Sequence, residues 1–440
     1  MVNARLRRRV VMPAFIWVNA LWHIYCVHAS LQELKNRRRH PTFSEGNEAS
    51  GVAVVVPMLD EADQLDDFLD HWSRIMITAP EMQLCVVTTE REATEAPSGE
   101  RTWDALQRND LWNLFVAAAR AHWIHYPVSN RTYGEQLRWA LAELDRILDV
   151  SVTHFYISNA DSRIAPAGVD EIVGLANERV ACAQQSTVFL GNIDRLSWVA
   201  AGEALYQSRW TFEREIFRYT VGAGGIPWIP AGVARRWYQH AVGHGLLLAR
   251  EYYRELGGLP EPKYGLEDAA LGFKIRLSGG KVIPFSTLEC GAAPSSLAEL
   301  QRQRSTWVRG PLCSFEYGSG VAASYLALQG TYDGLKWSMG LPIKMAAMLF
   351  LPKSSRAWAL AGLALGLFGP LARVLLALPS MDLDVEPVHR GHLVRAVSAY
   401  CLAPLSYWAG GFKGLVLLVA DISRGSEWTQ ERTRERRLDD

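Results

Sequence analysis

Lysine is scarce in this chain. Of its 46 basic residues only eight are Lys, and none lies between Lys35 and Lys263, so an anion held by that span meets Arg side chains or backbone N–H groups. The cysteines Cys26, Cys85, Cys182, Cys290, Cys313 and Cys401 include no CxxC pair and no Cys/His cluster at zinc-ligand spacing. That pattern argues against a structural zinc module and favours reduced thiols in a cytoplasmic protein over a disulfide framework. Net charge is missing as well: the 46 basic and 46 acidic residues cancel, which leaves no global reason to expect a nucleic-acid partner. Internal repeats and long low-complexity tracts are absent from about residue 50 to 315. With 49% hydrophobic and 21% charged residues over 440 positions, disorder is excluded and a globular or partly membrane-bound chain of more than one average domain remains.

Long apolar runs are present. Val10 to Leu31 carries no Lys, Arg, Asp or Glu for 22 residues, enough as a helix to cross a hydrocarbon layer of about 30 Å. Asn19, His23 and His28 interrupt it, and Trp17, Trp22 and Tyr25 have interfacial character, so spanning, lying in the interface and packing inside a soluble protein all stay open. Near the other end, Ala357 to Pro379 is apolar apart from Arg373, and Val397 to Ala420 apart from Lys413. The connection carries Asp382, Asp384 and Glu386, whereas the outer flanks carry Lys353, Arg356 and a run of Arg from Arg424 to Arg437. The positive-inside bias then predicts a hairpin that leaves and re-enters the cytoplasm, with the middle of the chain on the cytoplasmic face of the membrane. Trp337 to Leu351, too short to span, reads as a helix lying on the membrane surface. The expected division is an N-terminal membrane-associated helix (1–40), a catalytic domain (50–315) and a membrane-attached tail (316–440).

Between about residues 50 and 315 short apolar runs alternate with amphipathic stretches, the pattern of an α/β domain. Strands are expected at Val52–Val56, Leu84–Thr88, His122–Val128 and His154–Ser158. Helices are expected at Glu61–Ile77, Trp103–Ala121 and Gly134–Leu148. In open parallel sheets ligands bind outside the carboxyl ends of the strands, which puts Pro57 to Glu61, Thr88 to Glu90 and Asn159 to Ser162 on one rim. Asp60, Glu61, Glu90 and Asp161 gather there. A Mg²⁺ or Mn²⁺ ion bridging a diphosphate would compensate such a rim, because these ions take oxygen ligands and often use one or two protein carboxylates plus phosphates.

Two further clusters carry chemistry. In YGLEDAALGFKIRLS, Glu267 and Asp268 open a helix, where the dipole favours negative charge. Capping explains one carboxylate; the pair suggests a positioned base for an acceptor hydroxyl. In QRQRSTWVRG, Arg302, Arg304 and Arg309 surround Trp307, a combination that suits phosphate and sugar contacts or, alternatively, a basic helix at the lipid surface.

In this order the segments VVVPMLDE, VVTTE, SNADS, GLEDAALGFKIRLSGG and QRSTWVRG resemble the family 2 glycosyltransferases of GT-A fold, in particular the membrane-attached branch related to cellulose and hyaluronan synthases and to polyprenyl-linked sugar transferases. The resemblance covers roughly Gly51 to Leu312. It implies a Rossmann-like mixed sheet flanked by helices, with the membrane-associated helices following it. Pro57, Asp60, Glu61 and Glu90 would border the donor nucleotide. SNADS matches the family's DxD segment with Asn159 in place of the first Asp, which leaves Asp161 as the implied metal ligand and Asn159 and Ser162 as donor contacts. Asp268 is the implied catalytic base, with Glu267, Gln303 and Trp307 in the acceptor site. Glu135 stands where the family has Lys, so Arg131, Arg138 and Arg304 are the implied diphosphate contacts. His244, in VGHGLLLAR, is either an acceptor, metal or phosphate contact or a buried structural histidine.

The implied activity is inverting, metal-dependent transfer of a sugar from a nucleotide-diphosphate donor to a hydroxyl of a lipid-linked or membrane-delivered acceptor. Thr306, where processive members have Arg, points to a non-processive enzyme. The alternatives are a processive synthase, an enzyme with a soluble acceptor, and an inactive membrane scaffold of the same fold.

Overall fold

The computed structural model describes residues 2–39, 50–95, 100–129, 132–234, 237–381, 383 and 390–425. A single seven-stranded sheet organises it, in the order β3-β2-β1-β4-β6-β5-β7. The strands are β1 (Gly51–Pro57), β2 (Met82–Thr89), β3 (Ala121–Tyr126), β4 (Val152–Ile157), β5 (Cys182–Val188), β6 (Leu246–Ala249) and β7 (Ile283–Cys290). Only β6 runs against the rest, antiparallel to both β4 and β5. The sheet is therefore mixed, and the first four strands lie where the apolar runs place them.

β1 is buried on both faces, as a central parallel strand must be. Val52, Val54 and Val56 pack with Phe68, Leu69 and Trp72 of α2 (Leu65–Thr78). Ala53 and Val55 pack on the opposite side, in the cluster that holds Leu137, Leu141 and Leu144. The stretch expected as one helix from Trp103 to Ala121 is two, α3 (Thr102–Arg108) and α4 (Asp110–Ala117). Asn109 causes the break, because its side chain accepts the Trp112 N–H and caps the second helix. α5 (Tyr133–Ile147) starts with a reciprocal capping box between Thr132 and Glu135. That bond gives the Glu135 carboxylate a local structural role. α6 (Pro166–Asn177) covers the sheet on the α2 side.

Beyond β5, α7 (Trp198–Trp210) continues through a π-helical segment, Thr211–Ile216, into α8 (Phe217–Ala223). α9 (Glu267–Leu277) and α10 (Leu297–Trp307) precede the apolar tail, which consists of α11 (Val321–Leu349), α12 (Lys353–Ala377), α13 (Arg390–Ala399) and α14 (Ala403–Arg424). The N-terminal helix α1 (Val2–Arg39) is continuous. Among the described residues three segments are long and apolar enough to cross a membrane: Ala14–Arg39, Lys353–Ser380 and Gly391–Arg424.

The tail differs from the expected arrangement in three respects. α12 packs chiefly along α1, while α14 packs against α10 and α11. The second apolar run is broken by a 3₁₀ turn at Tyr400–Leu402. The surface helix expected at Trp337–Leu351 belongs to the much longer α11. The acidic residues Asp382, Asp384 and Glu386 and the basic run after Arg424 lie outside the described residues.

Candidate active site

Successive strands leave β1 in opposite directions, β2 and β3 to one side and β4 to the other, so the topological switch falls between β1 and β4. A cavity of about 660 Å³ opens at the carboxyl ends of those two strands, lined there by Pro57, Met58, Leu59, Asn159, Asp161 and Ser162. The loop after β1 is held from outside the cavity. Asp60 adopts a left-handed backbone (φ 61°), a conformation that Asp and Asn tolerate better than most residues. Its N–H donates to the buried Glu92 carboxylate (2.9 Å), which also accepts from the Thr102 N–H (2.9 Å) and hydroxyl (2.7 Å). The Glu61 N–H donates to the same Thr102 hydroxyl at 2.9 Å.

The opposing wall carries Glu267 and Asp268 at the start of α9. Asp268 Oδ2 accepts the Gly243 N–H (3.1 Å) and Oδ1 the Ala269 N–H (2.6 Å). Burial raises the pKa of both carboxyls; for Glu267 the Asp268 charge adds to it, whereas for Asp268 the two N–H donors and His244 oppose it. Close to neutrality this arrangement favours an ionised Asp268 beside a protonated Glu267, a base next to a hydrogen-bond donor. α5 reaches the pair at Gly134, where a Cβ would stand 2.4 Å from Glu267 Oε2.

His244 lines the same cavity, near enough to Asp161 and to Asp268 for their charges to act on one another. Its Nδ1 is 2.6 Å from Oε1 of the fully buried Glu289 on β7, with the Thr187 hydroxyl beside both. Burial alone would lower the His244 pKa, but the Glu289 carboxylate overrides it and raises it to about 9. A doubly protonated imidazole has no lone pair for a metal; it supplies positive charge. The loop that presents it is fixed by the buried Gln184 of β5, whose amide accepts from the Val242 N–H (2.9 Å) and donates to the His244 carbonyl (2.7 Å). Gly245 follows at φ 66°, where a Cβ would fall 2.3 Å from the Gln185 carbonyl oxygen, so only glycine fits.

The residues singled out in the sequence divide accordingly. Pro57, Glu61, Asn159, Asp161, Ser162, His244, Glu267, Asp268, Gln303, Arg304 and Trp307 line this one cavity. Arg304 does so with one guanidinium nitrogen engaged: Nη2 donates to Gln207 (2.6 Å) and faces Glu203 (3.7 Å), the group stacks over Trp307 and Tyr407, and Nε and Nη1 are buried with no hydrogen-bond partner among the described residues. Asp60 and Glu90 stay at the rim, Glu90 paired with His125 at 3.1 Å. Arg138 is not brought to the cavity, because it turns outward to Glu261 (2.9 Å). Arg131 lies outside the described residues.

Sequence reasoning missed Glu289, Tyr133 and the charged face of the helix from 198 to 223, all of which border the cavity. The readable signal was the spacing of Arg209, Glu213, Arg214 and Arg218 along a segment that is otherwise mostly uncharged. Among the described residues no three His, Cys, Asp or Glu converge as a metal site. Asp161 is nonetheless available, its one hydrogen bond among the described residues being a long contact from the Ala292 N–H (3.4 Å). A single carboxylate fits Mg²⁺ or Mn²⁺ if the remaining ligands come from phosphates and water.

No family model matches the sequence, and no curated protein matches it. Among solved structures the chain is similar to the mannosyltransferase PcManGT from Pyrobaculum calidifontis in complex with GDP-Man and Mn²⁺, at 16% identity over 91% of this chain and 99% of that one, with a TM-score of 0.44. It is also similar to S. aureus TarS 1-349 in complex with UDP-GlcNAc, at 11% identity over 86% and 92% of the two chains and a TM-score of 0.39.

Proposed function

We propose that this chain is an inverting glycosyltransferase that moves a sugar from a nucleotide-diphosphate donor to a hydroxyl of a lipid-linked or membrane-delivered acceptor. One observation carries the reading. Asp161, after β4, and Asp268, at the start of α9, line the same cavity at the sheet's switch point, together with His244. A donor diphosphate near Asp161 and an acceptor near Asp268 would then share one sugar-sized space.

Asp268 takes the proton of the acceptor hydroxyl as its oxygen bonds to the anomeric carbon, on the face opposite the breaking bond to the diphosphate. Protonated Glu267 orients the acceptor oxygen by hydrogen bonding. The His244 charge would offset negative charge building on a leaving group bound in this cavity. Mg²⁺ or Mn²⁺ held by Asp161 would neutralise part of the diphosphate charge. Three candidate spans, and α11 and α12 bordering the cavity, support delivery of the acceptor from the bilayer and a membrane location.

The test is a thermal-shift screen of nucleoside diphosphates and their sugars, with and without Mn²⁺, on the full chain and on Asp161→Asn. A ligand at 100 times its dissociation constant adds about 2.7 kcal/mol to stability by mass action. A metal-dependent upward shift for one nucleotide, lost in Asp161→Asn, is expected. No shift with any nucleotide overturns the proposal.

A further inference from the structure

The cavity does not end at the carboxylates. It continues between α1, α11 and α12, and this second end is rich in positive charge. Arg209, Arg214, Arg218, Lys336 and Lys344 line it against the carboxylates of Glu213 and Asp333, five cations to two anions. Glu215, the next carboxylate along the π-helical turn, belongs to the other end, beside Ser186 and His244.

The two anions are already used. Glu213, buried, is shared by Arg209 (3.0 Å), Arg214 (3.3 Å) and His23 of α1. Asp333 is bound by Arg218 at 2.6 Å. Lys336 and Lys344 are two turns apart on the cavity face of α11, and among the described residues no carboxylate lies within ion-pair distance of either ammonium. Arg214, and after it burial, pushes the Lys336 pKa down to about 7 against the opposing charges of Asp333 and Glu213, the response of an ammonium in a pocket where positive charge outweighs negative. Both lysines are half-buried, and cations withdrawn from water are normally paired or hydrogen-bonded. The π-helical geometry of Thr211–Ile216 adds to the case, because such turns are rare and concentrate at functional sites.

Alongside the cations the wall turns apolar, with Ile16 and Ala20 from α1 and Leu363 and Leu367 from α12. Both helices are among the candidate membrane spans. We infer that this end of the cavity holds a phosphorylated lipid, its phosphate or diphosphate between Arg214, Lys336 and Lys344 and its chain between α1 and α12. As the acceptor's anchoring site, it rests on the transferase reading and narrows the acceptor to an anionic lipid. As a binding site it stands on its own geometry.

The experiment uses the full chain in nanodiscs of zwitterionic lipid, titrated with dodecyl phosphate, dodecanol and inorganic phosphate, and followed by the fluorescence of Trp210 and Trp337, which face the same cavity. Dodecyl phosphate is expected to bind saturably. Lys336→Gln and Lys344→Gln are each expected to weaken it about tenfold, the worth of one charge-assisted hydrogen bond, while Lys336→Arg retains it. Dodecanol and inorganic phosphate should each bind at least tenfold more weakly. Wild-type affinity in both glutamine variants overturns the inference. Inorganic phosphate binding as tightly as dodecyl phosphate overturns it too, in favour of a site for free anions. Melting curves of each variant verify folding, and the charge-preserving arginine variant carries the comparison if a glutamine variant does not fold. The nucleotide screen on the same samples separates the two readings: lipid binding without nucleotide binding sinks the transferase proposal alone, and the reverse sinks this one alone.

Discussion

Replacing Asp268 by Asn isolates the step on which the proposed chemistry turns. The carboxylate accepts two backbone N–H groups, from Gly243 and Ala269, one on each oxygen. An asparagine has one acceptor oxygen, so one of these N–H groups is left facing an NH₂. That loss costs about 1–3 kcal/mol of stability, against a typical total of about 5–15 kcal/mol, so the variant should fold. Removing the charge also lowers the Glu267 pKa, because Asp268 no longer repels its ionised form. A site that held a base and a donor would then hold an amide and a more readily ionised acid. Loss of a general base lowers turnover by about 10²- to 10⁴-fold, equivalent to about 3–5 kcal/mol of barrier. Donor affinity should change little, since Asp161 and the β1 loop are untouched. The assay pairs single-turnover transfer from the nucleotide sugar in nanodiscs with calorimetric donor binding. Turnover within a few-fold of the wild type would refute the base assignment. A proportional loss of donor affinity would make Asp268 a donor contact instead.

Further perturbations test the surroundings of that base. Because burial raises the Asp268 pKa, turnover should fall on acidification at a pH above the usual carboxylate value of about 4; a pH–rate profile with its acidic half-point at the ordinary value would contradict the buried pair. Glu289→Gln removes the partner that holds His244 protonated. A group whose pKa is raised on folding stabilises the fold fully below its unfolded value and loses that contribution as pH rises through the folded value. With 6.5 and about 9 as those limits, the variant should be less stable than wild type by on the order of 3 kcal/mol at pH 6 and should converge with it by pH 10. Denaturant titrations at the two pH values measure this, and a pH-independent difference would show that packing, not charge, is what Glu289 provides. Gly134→Ala should fold normally yet displace Glu267, whose carboxylate occupies the space of the new methyl; a fall of roughly tenfold in turnover is expected, and unchanged kinetics would exclude a close fit at Glu267.

Much of the sheet was legible because its central strands are apolar and sharply ended. β1 stops at Pro57 and β4 runs into Asn159, and these endings placed the rim. β5 was not legible, because CAQQSTV is polar at four of its seven positions. Those side chains are nonetheless buried: Gln184 holds the Val242–His244 loop, and Gln185 accepts from the Tyr156 hydroxyl at 2.6 Å. Satisfied polar groups cost little inside a fold, but in a one-dimensional reading they look like a loop. β7 was overlooked for a similar reason, since the Glu171 carboxylate that accepts the Ser286 and Thr287 N–H groups lies more than a hundred residues away. Asp161 and Asp268 could be chosen from their positions after a strand and before a helix. The Glu289 partner of His244 and the cationic end of the cavity could not, because each pairing joins elements distant in the chain.

Arg309, next to α10, is bound to Asp421 of α14 at 2.6 Å, and α1 closes one side of the cavity. The apolar helices are thus part of the cavity wall. A shortened chain beginning at Gly51 and ending before Val321 would keep the sheet but open the chamber to bulk water, which would compete as nucleophile for the activated sugar. Such a fragment should waste its donor by hydrolysis.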